Sequence, residues 1–308
     1  MDVDESWRDR YLVSAAITNP GERAALYRGA ERGAFARVAR GAYLRVEDWA
    51  TLGPEQRHLA RMRAIELTHP GTVFSHLSAA LVWGFPVVGG DLSIPFSVVD
   101  PASGGRSMTG LRRYGIGRPD DSVLVGGLTV TSRSATVLHV AAGFRPEVSV
   151  PVVDAALGGR HPVARDALRE SAARIPASSG SARCTWALEF ADPRSGSAGE
   201  SLSRVGIHRL RLPAPELQQR FLDRGGLVGV VDFWWPDFGL IGEFDGLGKY
   251  LREEFAKGRS PAEVVIAEKR REDRLRALGP RVVRWEWDAA RHAPTLRGIL
   301  TSAGLRAP

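Results

Sequence analysis

The chain has 308 residues but only one cysteine, Cys184, so neither a disulfide framework nor a cysteine-ligated zinc site is open to it. Lysine is almost as scarce. Lys249, Lys257 and Lys269 stand against 39 arginines, and all three lie in the C-terminal segment. No apolar run approaches the roughly 18 residues that a membrane-spanning helix needs. The opening Met1-Asp2-Val3-Asp4-Glu5 is acidic and polar, unlike a secretory signal. The expectation is a cytoplasmic protein with no membrane partner. No internal repeat and no long low-complexity tract is present. What the chain has in excess is arginine. Its net charge of +7 and pI near 10.1 favour a polyanionic partner, although a GC-rich genome that inflates arginine explains the same numbers. With 44% hydrophobic residues it can bury two or three cores.

The densest chemical signal runs from Val231 to Gly246. It reads as two strands joined by a Pro236-Asp237-Phe238-Gly239 turn, with acids where strands prefer apolar residues. A turn centred between Asp237 and Phe238 sets Asp232 across from Glu243, and Val230 across from Asp245. Alternation then puts Glu243 and Asp245 on one face. Three carboxylates on one small patch repel one another and lose hydration, which costs several kcal/mol unless a cation joins them. A hard divalent ion with oxygen ligands suits such a set. Gly242 thins the strand at that point, and Lys249 follows just beyond Gly246 and Gly248. The plainer reading of Asp245-Gly246 is a turn pair closing a strand. Trp234-Trp235 reads first as hairpin packing and second as a stacking platform for unpaired bases.

These residues resemble the PD-(D/E)xK nuclease superfamily, and more closely its branch related to very-short-patch-repair endonucleases (domain of unknown function 559). The resemblance covers about the last 125 residues. It takes in Glu200-Ser201-Leu202-Ser203-Arg204 as the first acidic helix. It also takes in Glu268 to Leu275, Leu278-Gly279 and Val282 to Trp285 as a closing helix and strand. It implies a restriction-endonuclease-like mixed sheet flanked by helices, and Mg²⁺ or Mn²⁺ held by Asp232, Glu243 and Asp245. Glu200 would assist, and the site would hydrolyse phosphodiester bonds. The family's Glu-x-Lys is here Glu243-Phe244-Asp245, so Lys249 takes the role of the motif lysine. An ammonium, as a compact point charge, suits a scissile phosphate or attacking water better than a guanidinium does. Arg252, Lys257, Lys269, Arg270, Arg271, Arg274 and Arg276 form a basic face for phosphates. Glu268, Glu272 and Asp273 interleave with it and offer i,i+4 pairing.

Upstream, Asn19 can cap a helix with Pro20 in its first turn, and Gly33 stops it. Phe35 to Val38 and Tyr43 to Val46 then alternate about Arg40-Gly41. This segment resembles the winged-helix region of AbiEi-type antitoxins, as does Ser75-His76-Leu77-Ser78-Ala79-Ala80. The resemblance implies wing contacts to DNA phosphates by Arg37, Arg40 and Arg45. Glu55 to His69 reads as an amphipathic helix. Ser75 to Gly84 reads as a capped, buried one, with His76 a core histidine satisfied by backbone groups. Strands are expected at Ser93–Val99, Leu111–Tyr114 and Leu128–Val130, followed by packed helices. His139 and Asp154 read as structural or exposed.

The expected organisation is α/β (α+β): a winged-helix-like region over residues 1–85, an α/β middle domain over 86–177 and the nuclease-like domain over 178–308. The expected activity is that of a metal-dependent DNA endonuclease with N-terminal DNA binding, its partner being duplex DNA. The alternative is an AbiEi-like antitoxin or repressor, with a toxin partner or a homodimer, that carries a degenerate nuclease fold.

Overall fold

A computed structural model describes residues 10–99, 108–115, 122–174, 180–246 and 260–306. The fold is mixed α+β, with three sheets among the described residues. Among the described residues no helix is long and apolar enough to cross a membrane. The chain forms two compact units: Met1–Phe144 with Asp166–Thr185, and Arg145–Arg165 with Trp186–Pro308.

In the first unit, β1 (Leu12–Val13), α1 (Pro20–Glu31), β2 (Phe35–Ala39), β3 (Ala42–Arg45), α2 (Val46–Thr51) and α3 (Pro54–Thr68) come in that order. Asn19 caps α1 by accepting the Gly21 N–H at 2.8 Å. The strands β2 and β3 pair as the alternation predicts, Phe35 with Arg45 and Arg37 with Tyr43, and Gly41 takes a left-handed φ of 79° at the turn. Strand β1 adds to β3, completing a three-stranded sheet. Leu44, Val38, Leu52, Ala60 and Ala64 bury the space between this sheet and α3.

A five-stranded sheet follows, in the order β6-β5-β4-β8-β7. Its strands are β4 (Val73–Phe74), β5 (Phe96–Val98), β6 (Arg112–Tyr114), β7 (Val123–Val125) and β8 (Leu128–Val130), with α4 (His76–Val82) and α5 (Arg133–Gly143) beside them. Two details differ from expectation. Ser75 makes no side-chain cap on α4; its Oγ lies 2.8 Å from His76 Nδ1, so a side chain and not the backbone satisfies that buried ring. His76 also sits at a φ of 51° and stacks on Tyr114 and His139. Burial presses its pKa well below the ordinary histidine value, so the ring is a neutral core group.

Four helices follow: α6 (Pro146–Gly158), α7 (Arg165–Ala172), α8 (Ser181–Phe190) and α9 (Ala198–Arg209). The second unit places α6 against α9. Asp154 of α6, 1% exposed, meets Arg204 of α9 at 2.9 Å and accepts the Asp192 N–H. The expected middle domain therefore does not hold together as 86–177, because α6 packs with the C-terminal residues. The expected boundary falls on residues 175–179, which lie outside the described set.

The unit's four-stranded sheet runs β12-β11-β10-β9, with β9 (Glu216–Asp223), β10 (Gly226–Trp235) and β11 (Leu240–Phe244) antiparallel and β12 (Arg281–Trp285) parallel to β11. Helices α10 (Pro261–Ala277), α11 (Trp287–Arg291) and α12 (Ala293–Ser302) complete it. Leu275 of α10 packs on Val228, Val231, Ile241 and Val282. The Phe233 ring stacks with those of Trp235 and Trp285. Trp235 is buried and donates its indole N–H to the Pro213 carbonyl, and Trp234 stands edge-on to Phe221. Trp235 is a packing residue, and Trp234 packs edge-on while staying half-buried.

Candidate active site

The β10–β11 hairpin has the register the turn demands. Phe233 pairs with Gly242, Trp234 with Ile241 and Trp235 with Leu240, with Gly239 left-handed at the corner. One step further along that register, Asp232 stands across from Glu243. Asp232, Glu243 and Asp245 line one cavity of about 290 Å³, together with Glu268, Arg271, Arg284 and apolar residues. Asp245 donates its own N–H to the Trp285 carbonyl.

The three carboxylates are not equivalent. Arg271 of α10 grips Glu243 at 2.5 Å, and Arg284 of β12 reaches its other oxygen at 2.9 Å. Both arginines also bond Glu268, and Arg271 donates to the Val230 carbonyl. Burial pushes the Glu268 carboxyl up, but its bonds to Arg284 and Arg271 outweigh that and hold it below the usual range. Glu243 is thus one corner of an ion-pair network, where an open metal ligand was expected. Among the described residues no group of three or more acidic, histidine or cysteine side chains is arranged to hold a metal ion.

Asp232 is different. Its Oδ2 accepts the Phe244 N–H at 2.8 Å and its Oδ1 lies 3.4 Å from the Gln218 amide. Burial first, then the charges of Glu200 and Glu243, drive its pKa from 3.8 up to about 7. Glu200 is buried in the first turn of α9, where Ser197 caps the helix by accepting the Glu200 N–H. Its Oε2 accepts from the Gly196 N–H and from Gln218 Nε2, each at 2.9 Å. Gly199 lets the helix come this close to the sheet, since a Cβ there would lie 2.0 Å from the Phe244 ring.

Gln218 and Arg284 are site residues that sequence reasoning missed. Gln218 has no apolar or acidic signature, and its φ of 54° is one that non-glycine residues rarely adopt. Of the residues expected to touch DNA, Arg271 is consumed at Glu243 and Arg274 pairs with Asp223 at 2.7 Å. Neither belongs to an open basic face. Lys269 and Arg270 are exposed, as are Arg37, Arg40 and Arg45 of the first unit. Lys249, Arg252 and Lys257 lie outside the described residues.

The chain is similar to two uncharacterized proteins of Mycobacterium tuberculosis, from strains CDC 1551 / Oshkosh and ATCC 25618 / H37Rv. Each is 29% identical to it over 261 residues, covering 83% of this chain and 90% of theirs. A match of that length exceeds either compact unit, so the likeness runs through both. No family model matches the chain.

Proposed function

We propose that the second unit is a divalent-cation-dependent phosphodiesterase of the endonuclease type, acting on DNA. The observation that carries this reading is Asp232, a largely buried carboxyl set beside Glu200 and Glu243 with no cation paired to it among the described residues; burial first, and then those two charges, push its pKa up. Glu243 is neutralised by arginines and Asp232 is not. The side chains that could ligate an ion there offer carboxylate oxygens, which suits Mg²⁺ or Mn²⁺. Asp232 and Glu200 would hold the ion as a two-carboxylate set, with water completing its shell. When bound, such an ion supplies Lewis acidity toward a phosphoryl oxygen and a water of lowered pKa.

The chain's own residues supply the rest. The Phe244 N–H fixes one oxygen of Asp232. Arg271 and Arg284 hold Glu243 beside it on the cavity wall, their charges answered by Glu243 and Glu268. Calorimetric titration of Mn²⁺ into the full-length protein tests the reading. Wild type is expected to bind, Asp232→Asn to lose at least tenfold in affinity, and Glu243→Gln to lose less because that carboxylate serves the arginines. Equal binding by wild type and Asp232→Asn, or none by either, counts against the cation.

The arginine grip on Glu243 favours a second reading, a DNA-binding regulator of the AbiEi-like antitoxin kind whose nuclease fold has become structural. Under either reading Arg37, Arg40 and Arg45, exposed about the β2–β3 turn, are proposed to bind phosphates. Replacing all three with Ala is expected to weaken duplex binding. The slope of log affinity against log salt should flatten by roughly one unit for each phosphate no longer neutralised. Mn²⁺ binding should stay as it is. An unchanged salt slope would make the hairpin packing material only.

A further inference from the structure

We infer that Gln218 is the positioning residue of the acidic site, a spacer whose amide stands between Glu200 and Asp232 and fixes the orientation of the Asp232 carboxylate. The inference rests on the cation-site reading above for its functional meaning, and on geometry for its substance.

Strand β9 is regular on either side of this residue, Gln219 pairing with Val231 and Leu217 with Phe233. Only Gln218 between them turns to a φ of 54°, without a glycine or asparagine to make that turn easy. A non-glycine residue held in this region is strained and points to a constraint on its side chain. Here the strain has a visible product. From this position Nε2 reaches Glu200 Oε2 at 2.9 Å and Asp232 Oδ1 at 3.4 Å. An amide nitrogen has two N–H donors, one for each carboxylate. The other oxygen of Asp232 is held by the Phe244 N–H. Asp232 is therefore gripped from two sides, by backbone on β11 and by Gln218 on β9. Remove the amide and the carboxylate is tethered at one oxygen only, beside the Glu200 charge that repels it. A neutral spacer suits the purpose, because a lysine here would offset one of the two charges and a glutamate would add a third.

Two variants test this in the full-length protein. Gln218→Leu keeps the bulk and loses the amide; Gln218→Gly also loses the amide but relieves the left-handed backbone. The first readout needs no metal: hydrogen exchange of the Phe244 amide by NMR, which reports its bond to Asp232. Both variants are expected to speed that exchange at least tenfold relative to the amides of Trp234 and Ile241. Gln218→Gly should do so while melting no lower than wild type, a combination that a merely structural residue would not give. The second readout is Mn²⁺ titration, in which both variants should bind at least tenfold more weakly.

If Phe244 exchange is unchanged in both variants, the inference is overturned whatever Mn²⁺ does. If exchange speeds up but wild type binds no Mn²⁺, Gln218 still positions Asp232, and it is the cation reading that falls. Should Gln218→Leu fail to fold, Gln218→Gly carries the test alone.

Discussion

At pH 8, Asp232→Asn is expected to unfold at a higher temperature than wild type, by on the order of 10 °C, when no divalent cation is present. The Asp232 carboxyl titrates at about 7 in the folded chain against 3.8 in its ordinary state. A raised folded pKa means that the native state holds the proton more tightly than the unfolded one. Its favourable contribution is complete below the unfolded value and is lost as pH rises through the folded one. Between about pH 4 and pH 7 the wild type should lose on the order of 4 kcal/mol from this group. The asparagine cannot ionise, yet its carbonyl can still accept the Phe244 N–H. Calorimetric melts of both proteins from pH 4 to pH 8 check this. The two curves should meet at the acid end and separate above it. Curves that stay parallel would mean that the charge on Asp232 is already compensated. Mn²⁺ at pH 8 should close the gap by stabilising wild type alone.

Gly199→Ala is expected to destabilise the second unit by about 3 kcal/mol, at the upper end of the usual range for overpacking. The new Cβ would lie 2.0 Å from the Phe244 ring, and neither party can yield easily. Gly199 sits in the first turn of α9, fixed by the Ser197 cap on Glu200. Phe244 is held edge-on against Trp287, and its N–H is bonded to Asp232. Phe244→Leu makes room, so the double variant should be more stable than the sum of the two single changes predicts. Denaturant unfolding of the four proteins measures that coupling. Simple additivity would show that Gly199 is required for some reason other than the approach of α9 to β11.

The hairpin was legible because its turn and its alternation are local. Pro236 to Gly239 set the corner, and every pairing across it followed by counting. The helix after Asn19 and the β2–β3 hairpin were legible for the same reason. Strand β9 was not, because Gln218, Gln219 and Arg220 carry no apolar alternation and its partner supplies the burial. The grip on Glu243 was hidden for another reason. Arg271 lies 28 residues downstream on a helix where local pairing was the natural expectation. Some local pairing is there, as Arg276 with Glu272, yet Arg271 and Arg274 also reach out of the helix to Glu243 and Asp223. A long guanidinium chooses its carboxylate in three dimensions, and charge order along the chain does not record that choice. The acids of the hairpin were found by type; which of them would be neutralised depended on α10 and β12.

The order in which the second unit takes up the chain bears on how such a protein can be inherited. Residues 145–165 belong to it and residues 166–185 do not, so no single run of codons encodes it. A recombination breakpoint near codon 178 would carry off the acidic hairpin, its arginines and Gln218, yet leave α6 behind. Arg204, whose guanidinium is only 11% exposed, would then arrive without the Asp154 carboxylate that answers it. The two M. tuberculosis proteins match across both units.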